Sequence, residues 1–112
     1  MIIDFKNLDR VDRLLREADF SIRNNDYEQA EEIAEEILEL GYRFLASTVY
    51  KGAGKIERAR EILVPVAERL CREGDYLRAA FHYKAVDLIE EYEDARKNHE
   101  ILYGFRKNAP FN

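Results

Sequence analysis

The side chains of this chain best suited to metal binding or nucleophilic catalysis are two histidines and one cysteine. His82 and His99 lie 17 residues apart in what reads as one helix, which separates them by about 25 Å at 1.5 Å per residue. They therefore cannot share one metal ion within a chain. Cys71 lies between Arg69 and Arg72, whose charges would lower a thiol pKa, but no Cys-His or Ser-His-Asp spacing supports catalysis. We predict no catalytic residue, no metal site and no cofactor, with Cys71 acting as a small hydrophobic side chain.

Carboxylates are concentrated on two predicted helix faces. The first face comprises Glu31, Glu32, Glu35, Glu36 and Glu39, and the second comprises Glu90, Glu91, Glu93 and Asp94. Such faces could bind a cation or a basic partner, although a solvated helix surface is the commoner origin of this pattern. A basic strip on the first predicted helix comprises Arg10, Arg13 and Arg16. We expect surface ion pairs between this strip and the first acidic face, each worth about 0–1 kcal/mol.

The overall charge and composition limit the possible partners. The 112 residues carry a net charge of -5, which argues against nucleic-acid binding because that needs clustered lysine and arginine. No apolar run approaches the roughly 20 residues that a membrane span requires. A single cysteine excludes an intrachain disulfide and fits a reducing compartment, so we expect a cytoplasmic protein. Abundant glutamate and arginine with few neutral polar residues is also typical of heat-adapted proteins.

Apolar residues recur at helical spacing along most of the chain, which predicts an all-α fold. The first four predicted helices span residues 7–23, 26–40, 42–51 and 56–72. Asn7 and Asp26 are the predicted N-caps of the first two, and Gly41 is the predicted stop of the second. Residues 26–51 could instead form one helix, since a single glycine costs only about 1 kcal/mol, but we favour the break. Pro65 lies within the fourth helix and predicts a kink.

The last predicted helix is much longer, because no glycine or proline occurs between Gly74 and Gly104. Its apolar positions alternate steps of four and three, through Phe81, Ala85, Leu88, Tyr92, Ala95, His99 and Leu102. Such a heptad stripe is typical of a helix that packs lengthwise against a neighbour. We therefore predict one helix over 75–103, with His99 on the stripe as a core or interface residue that has a satisfied ring nitrogen. The predicted domain spans 1–104 with about five helices, followed by a flexible tail over 105–112.

A short sequence box lies at three of the predicted turns. It reads Asn-Asp-Tyr-Glu-Gln-Ala at 25–30, Gly-Asp-Tyr-Leu-Arg-Ala at 74–79 and, more weakly, Gly-Lys-Ile-Glu-Arg-Ala at 54–59. These boxes resemble the turn between the two helices of a tetratricopeptide repeat. The resemblance implies antiparallel helical hairpins. Because the anchors Tyr27, Ile56 and Tyr76 are 29 and 20 residues apart, we expect an irregular, repeat-like bundle rather than a regular solenoid.

The resemblance also implies a binding groove lined by the first helix of each pair. Carried onto this sequence, the groove positions are Asp19, Arg23, Thr48, Lys51, Glu68 and Arg72. This set mixes charges, which suits a segment of a partner protein better than a free anion. Four tyrosines are candidate interface aromatics, namely Tyr42, Tyr50, Tyr92 and Tyr103. We expect a non-catalytic interaction or scaffold module that binds a partner protein or its own second copy; a structural subunit of a larger assembly is an alternative.

Residues 74–86 also resemble a helix of HEPN-type domains, four-helix bundles that include RNA-cleaving toxins. The signature of that family is an arginine followed by four to six residues and a histidine. Here Arg78 precedes His82 by only three intervening residues, and Arg96 precedes His99 by two. The resemblance implies a shared fold. An RNA-acting enzyme that uses Arg78 and His82 is the alternative function.

Overall fold

The protein is all-α in a computed structural model that describes residues 5–104. The described residues form six α-helices and a final π-helical turn over Glu100–Gly104, with no strand between residues 5 and 104. The helices are α1 (Phe5–Arg23), α2 (Tyr27–Glu39), α3 (Arg43–Gly52), α4 (Ile56–Arg72), α5 (Tyr76–Ala85) and α6 (Ile89–His99). The all-α prediction is confirmed, whereas the predicted tail over 105–112 lies outside the described residues.

All five linkers between these helices share one backbone conformation. Each linker has three residues, and the middle one has a positive φ: Asn25 (60°), Gly41 (94°), Gly54 (79°), Gly74 (81°) and Asp87 (58°). At α4, for example, the Gly74 amide donates to the Cys71 carbonyl (3.0 Å) and the Asp75 amide donates to the Leu70 carbonyl (2.8 Å). This pair of bonds is a Schellman motif, which satisfies the last carbonyls of the helix. Left-handed backbone favours glycine and is tolerated by asparagine and aspartate, which explains the residue types at the middle position.

Small residues occupy two fixed positions around each linker. Seven residues before the positive-φ residue, the chain places Ala18, Ala34, Ser47, Ala67 and Ala80, all of them buried. Five residues after it, the chain places Ala30, Ala46, Ala59 and Ala79, which are completely buried, and Tyr92 at the last linker. Small side chains at both positions allow the two helices of a hairpin to approach closely. The linker and the two small positions together therefore define each hairpin.

The contacts divide the chain into two compact units, Met1–Ile62 and Leu63–Asn112. In the first unit, α1 packs against α2 and α3, and α2 packs against α3. In the second unit, α5 packs against α6. The buried core of the second unit also includes two residues from the end of α4, Ala67 and Leu70. The prediction of a single domain over 1–104 stays a prediction.

The predicted helix over 75–103 is wrong. The chain instead turns at Val86-Asp87-Leu88, where Asp87 adopts a φ of 58° and separates α5 from α6. Aspartate tolerates this conformation without being as distinctive a signal as glycine, and the heptad spacing happens to continue in phase through the linker. The stripe is not a buried seam, because Phe81 is 61% exposed.

The other predicted caps, breaks and ion pairs are confirmed in part. Asp26 caps α2 as predicted, since its Oδ1 accepts from the Gln29 amide at 3.2 Å, and the break at Gly41 is confirmed. Asn7 is not an N-cap, because α1 already includes Phe5. The predicted ion pairing between α1 and α2 is confirmed at Arg10, which contacts Glu36. Arg16 instead pairs with Asp12 on its own helix at 2.7 Å.

Candidate functional site

Helix α5 presents large apolar side chains to solvent. Leu77 and Phe81 lie one turn apart and are 45% and 61% exposed. Beside them, a cavity of about 100 Å³ opens between α5 and α6. It is lined by Leu77, Ala80, Phe81, Lys84, Tyr92 and Arg96, which we call the α5–α6 groove. Contiguous apolar exposure of this kind marks an interaction surface more often than chance.

The linker at Asp87 positions the two sides of the α5–α6 groove. It makes α6 return alongside α5, which brings Tyr92 against the face that carries Phe81. Tyr92 occupies the position that is alanine after each of the other four linkers. Two helices that approach closely over an alanine methyl group leave no space for a tyrosine ring. The Tyr92 ring therefore remains half-buried in the wall of the groove. The groove therefore exists because the last hairpin has the large residue Tyr92 where the other four hairpins have alanine.

Two positive charges converge on the Tyr92 ring. The Lys84 Nζ atom lies 5.2 Å from the ring centroid, and the Arg96 Cζ atom lies 5.7 Å from it. The Arg96 guanidinium also donates to the Tyr92 hydroxyl at 3.4 Å. A cation over an aromatic face contributes about 0.5–1 kcal/mol at an exposed site. The groove thus combines an apolar floor with a cationic rim.

Neither cation of the rim is neutralised by a carboxylate from residues 5–104. Seven arginines elsewhere in that range do form ion pairs: Arg10, Arg16, Arg23, Arg58, Arg60, Arg69 and Arg78. Lys84 and Arg96 form none with any described residue and contact the tyrosine ring instead. Lys84 and Arg96 therefore lie without an ion pair beside the exposed apolar patch of α5, and a neighbouring surface hollow is lined by Arg96 together with Glu93 and Glu100.

No family model, no characterised protein and no solved structure matches the chain. The resemblances to tetratricopeptide repeats and to HEPN domains therefore depend only on the residues that carry them. The α5–α6 groove is likewise inferred to be a candidate site from its geometry and its surroundings alone.

The structure separates the predicted groove residues between the two units. Asp19 and Arg23 are exposed on α1 and pair with each other at 3.2 Å. On α3, Lys51 is exposed and the Thr48 hydroxyl donates to the Leu45 carbonyl at 2.7 Å. Glu68 and Arg72, exposed on the last turns of α4, belong to the second unit. Binding by these six residues stays a prediction.

The α5–α6 groove could have been found by the same spacing argument. Asp19, Thr48 and Glu68 each lie six residues before a positive-φ residue, and Phe81 holds the same position before Asp87. Phe81 and Lys84 were missed because α5 and α6 were predicted as one helix. The signal was Tyr83 and Lys84 followed, after two further residues, by Asp87, which repeats the spacing of Tyr50, Lys51 and Gly54.

Cys71 and His99 each interact with a nearby tyrosine. Burial raises the pKa of the Cys71 thiol, against the expected effect of the nearby arginines, while a hydrogen bond with Tyr83 partly lowers that pKa. The Nδ1 atom of His99 is buried without a hydrogen-bond partner among the described residues, and a satisfied ring nitrogen at this position stays a prediction. The His99 ring instead lies 4.9 Å from that of Tyr103. No group of three or more potential ligands within residues 5–104 could hold a metal ion.

The HEPN-like pair is engaged in local contacts. The Arg78 guanidinium lies 3.4 Å from the Asp75 carboxylate, which also caps α5. The His82 Nδ1 atom lies 2.8 Å from the Arg78 carbonyl oxygen, one turn earlier in the helix. Because a carbonyl only accepts, Nδ1 carries the proton and donates this bond. Both contacts are typical of helix surfaces.

Two further expectations concern the interface tyrosines and the membrane. Tyr50 is fully buried and cannot contact a partner, whereas Tyr92 is half-buried in the α5–α6 groove and Tyr103 is exposed. In the part of the chain that the structure describes, no helix combines the length and the apolar character that crossing a membrane would require.

Proposed function

We propose that this protein is a non-catalytic helical-hairpin module that binds a segment of a partner protein through the α5–α6 groove. The observation that carries this proposal is the exposure of Phe81 and Leu77 beside a tyrosine ring flanked by two unpaired cations. Aromatic residues and arginine dominate the energetics of protein interfaces. An exposed phenylalanine next to tyrosine and arginine is therefore the composition expected of a binding surface.

The size of the cavity supports a protein segment over a small molecule. Sites for cofactors and metabolites usually enclose about 300–1,000 Å³, whereas the α5–α6 groove encloses about 100 Å³. That volume suits one inserted side chain, with the rest of the segment lying over α5 and α6. A cytoplasmic location is part of the same proposal, supported by the single free cysteine.

Selection from a random peptide library displayed on phage tests the proposal, with the purified protein as bait. We expect selected peptides to lose at least about tenfold in affinity for the Phe81→Ser variant, since Phe81 is the central apolar contact. Phe20→Ser is the matched control, because Phe20 is 71% exposed but lies on α1 in the first unit. Peptides that bind both variants as tightly as the wild type, or a selection that yields no peptide, would contradict the proposal.

A further inference from the structure

We infer that the segment bound by the α5–α6 groove is acidic: one leucine-sized aliphatic side chain flanked by carboxylates. This inference rests on the proposed function and adds the chemistry of the partner. It follows from the charge of the groove rim and from the volume of the groove.

The rim requires negative charge from the partner. Lys84 and Arg96 both lie within 6 Å of the Tyr92 ring centroid and pair with no carboxylate among residues 5–104. A segment that covers Tyr92 removes water from both cations. Burying a charge without an opposite partner is strongly unfavourable. A neutral or basic segment would therefore lose affinity to the desolvation of these cations. Carboxylates on each side of the anchor would offset that desolvation by pairing with them.

The floor of the groove selects the size of the anchor. Its apolar lining comes from Leu77, Ala80 and Phe81. The roughly 100 Å³ of the groove leave room for a single apolar side chain, and we propose an aliphatic one. The expected anchor is leucine, isoleucine or methionine.

The acidic helix of a second copy does not meet both requirements. The exposed glutamates of α2 supply negative charge, namely Glu28, Glu32, Glu35 and Glu39. The only large apolar side chain exposed on α2 is Tyr27, which is aromatic. We assign the groove to a different protein. In a second copy, the exposed Ile89 beside Glu90 and Glu91 also joins an aliphatic side chain to carboxylates, so self-association is an outcome that the test must distinguish.

Fluorescence anisotropy with three labelled peptides tests the inference. The first peptide carries one leucine flanked on each side by two glutamates. The second replaces the glutamates with lysines, and the third replaces the leucine with alanine. We expect the first peptide to bind at least about tenfold more tightly than the other two. Raising the ionic strength from about 0.1 to about 1 M shortens the screening length from about 10 to about 3 Å and should weaken its binding.

Charge reversal in the protein is the complementary test to charge reversal in the peptide. The double variant Lys84→Glu/Arg96→Glu should prefer the lysine peptide, and Lys84→Gln/Arg96→Gln should lose the preference for glutamate without reversing it. Arg43→Glu is the control, because Arg43 is an exposed cation on α3 in the first unit. Circular dichroism confirms that each variant retains its helical content.

The outcomes separate this inference from the proposed function. If binding depends on Phe81 but not on peptide charge, the acidic partner is wrong and the groove remains a binding site. If no peptide binds in a manner that depends on Phe81, both fail. If the protein self-associates in sedimentation velocity and the double charge reversal abolishes it, the occupant is a second copy and the assignment to a different protein is overturned.

Discussion

Helices α3 and α5 are built on one ten-residue pattern, yet one supports a polar interior and the other an exposed groove. Residues 33 apart correspond: Ala46 with Ala79, Tyr50 with Tyr83, and Lys51 with Lys84. The two helices differ at the other seven positions, among them Ser47, which is Ala80 in α5, and Thr48, which is Phe81. The shared residues form the hairpin in each unit. The differing residues determine what the hairpin buries and what it offers to solvent.

The interior of the first unit contains two buried hydroxyls with different surroundings. The Ser47 Oγ atom makes no hydrogen bond with any described residue, whereas the Tyr50 hydroxyl interacts with the Arg58 guanidinium, which lowers the tyrosine pKa against the effect of burial. The Arg58 guanidinium interacts with Tyr50 from 5.7 Å above the ring centroid. In the second unit, Ala80 carries no hydroxyl, and Tyr83 interacts with the Cys71 thiol. An unsatisfied buried polar group costs about 1–3 kcal/mol, so Ser47 is a less favourable residue at its buried position than Ala80 is at the equivalent one.

The largest effect is expected where both hairpins are alike. Ala46→Leu and Ala79→Leu should each lower the free energy of unfolding by about 2–3 kcal/mol, because both alanines are completely buried and overpacking forces the helices apart. Urea unfolding followed by circular dichroism measures the change. Tyr92→Leu, at the equivalent position after the last linker, should change stability by less than about 1.5 kcal/mol. Equal losses at all three positions would mean that the small-residue rule has no structural basis.

Exchanging the interior residues should change stability in opposite directions. Ser47→Ala removes an unpaired hydroxyl and should raise the free energy of unfolding by about 1–2 kcal/mol. Ala80→Ser introduces one and should lower it by a similar amount. Thr48→Ala, an exposed change on the same helix, is the control. A Ser47→Ala variant that is less stable than the wild type would show that the hydroxyl has a partner in solution.

The two buried tyrosines should respond differently to loss of the hydroxyl. Tyr50→Phe should change the free energy of unfolding by less than about 0.5 kcal/mol, because its hydroxyl interacts with the exposed Arg58 guanidinium, which also pairs with Glu61. Tyr83→Phe should lower stability by about 0.5–1.5 kcal/mol through loss of the interaction with Cys71. Urea titrations of both variants measure the difference. The comparison between the units fails if Tyr50→Phe is the more damaging change.

The effect expected to be smallest near neutral pH comes from the ionisation of Tyr83. Burial raises its pKa from 10.0 to about 12, so the folded protein keeps a proton that the unfolded chain releases. This contribution to stability is complete below pH 10 and is lost as the pH rises towards 12. The wild type should therefore lose stability more steeply than Tyr83→Phe over that interval. Identical pH profiles would indicate that the phenol is not buried in solution.

Much of the fold could be predicted from the sequence because its signals are local. Asp26 was predicted as the side-chain cap of α2 and Gly41 as its glycine stop, and the structure shows both. The bounds of α4 follow directly from its apolar stripe. Asp87 was missed because a left-handed aspartate resembles an ordinary surface residue in a single sequence. The groove was missed with it, since the exposure of Phe81 depends on where the chain reverses rather than on the residues beside it.

The uniform linker has a consequence for how such a chain can change. Everything that one corner requires lies between seven residues before and five residues after its left-handed position, while successive corners are 16, 13, 20 and 13 residues apart. Insertions of whole helical turns between corners leave each corner intact. Related chains could therefore differ greatly in length and alignment while folding by the same rule. A search for them should score the corner itself and leave the distance to the next one free.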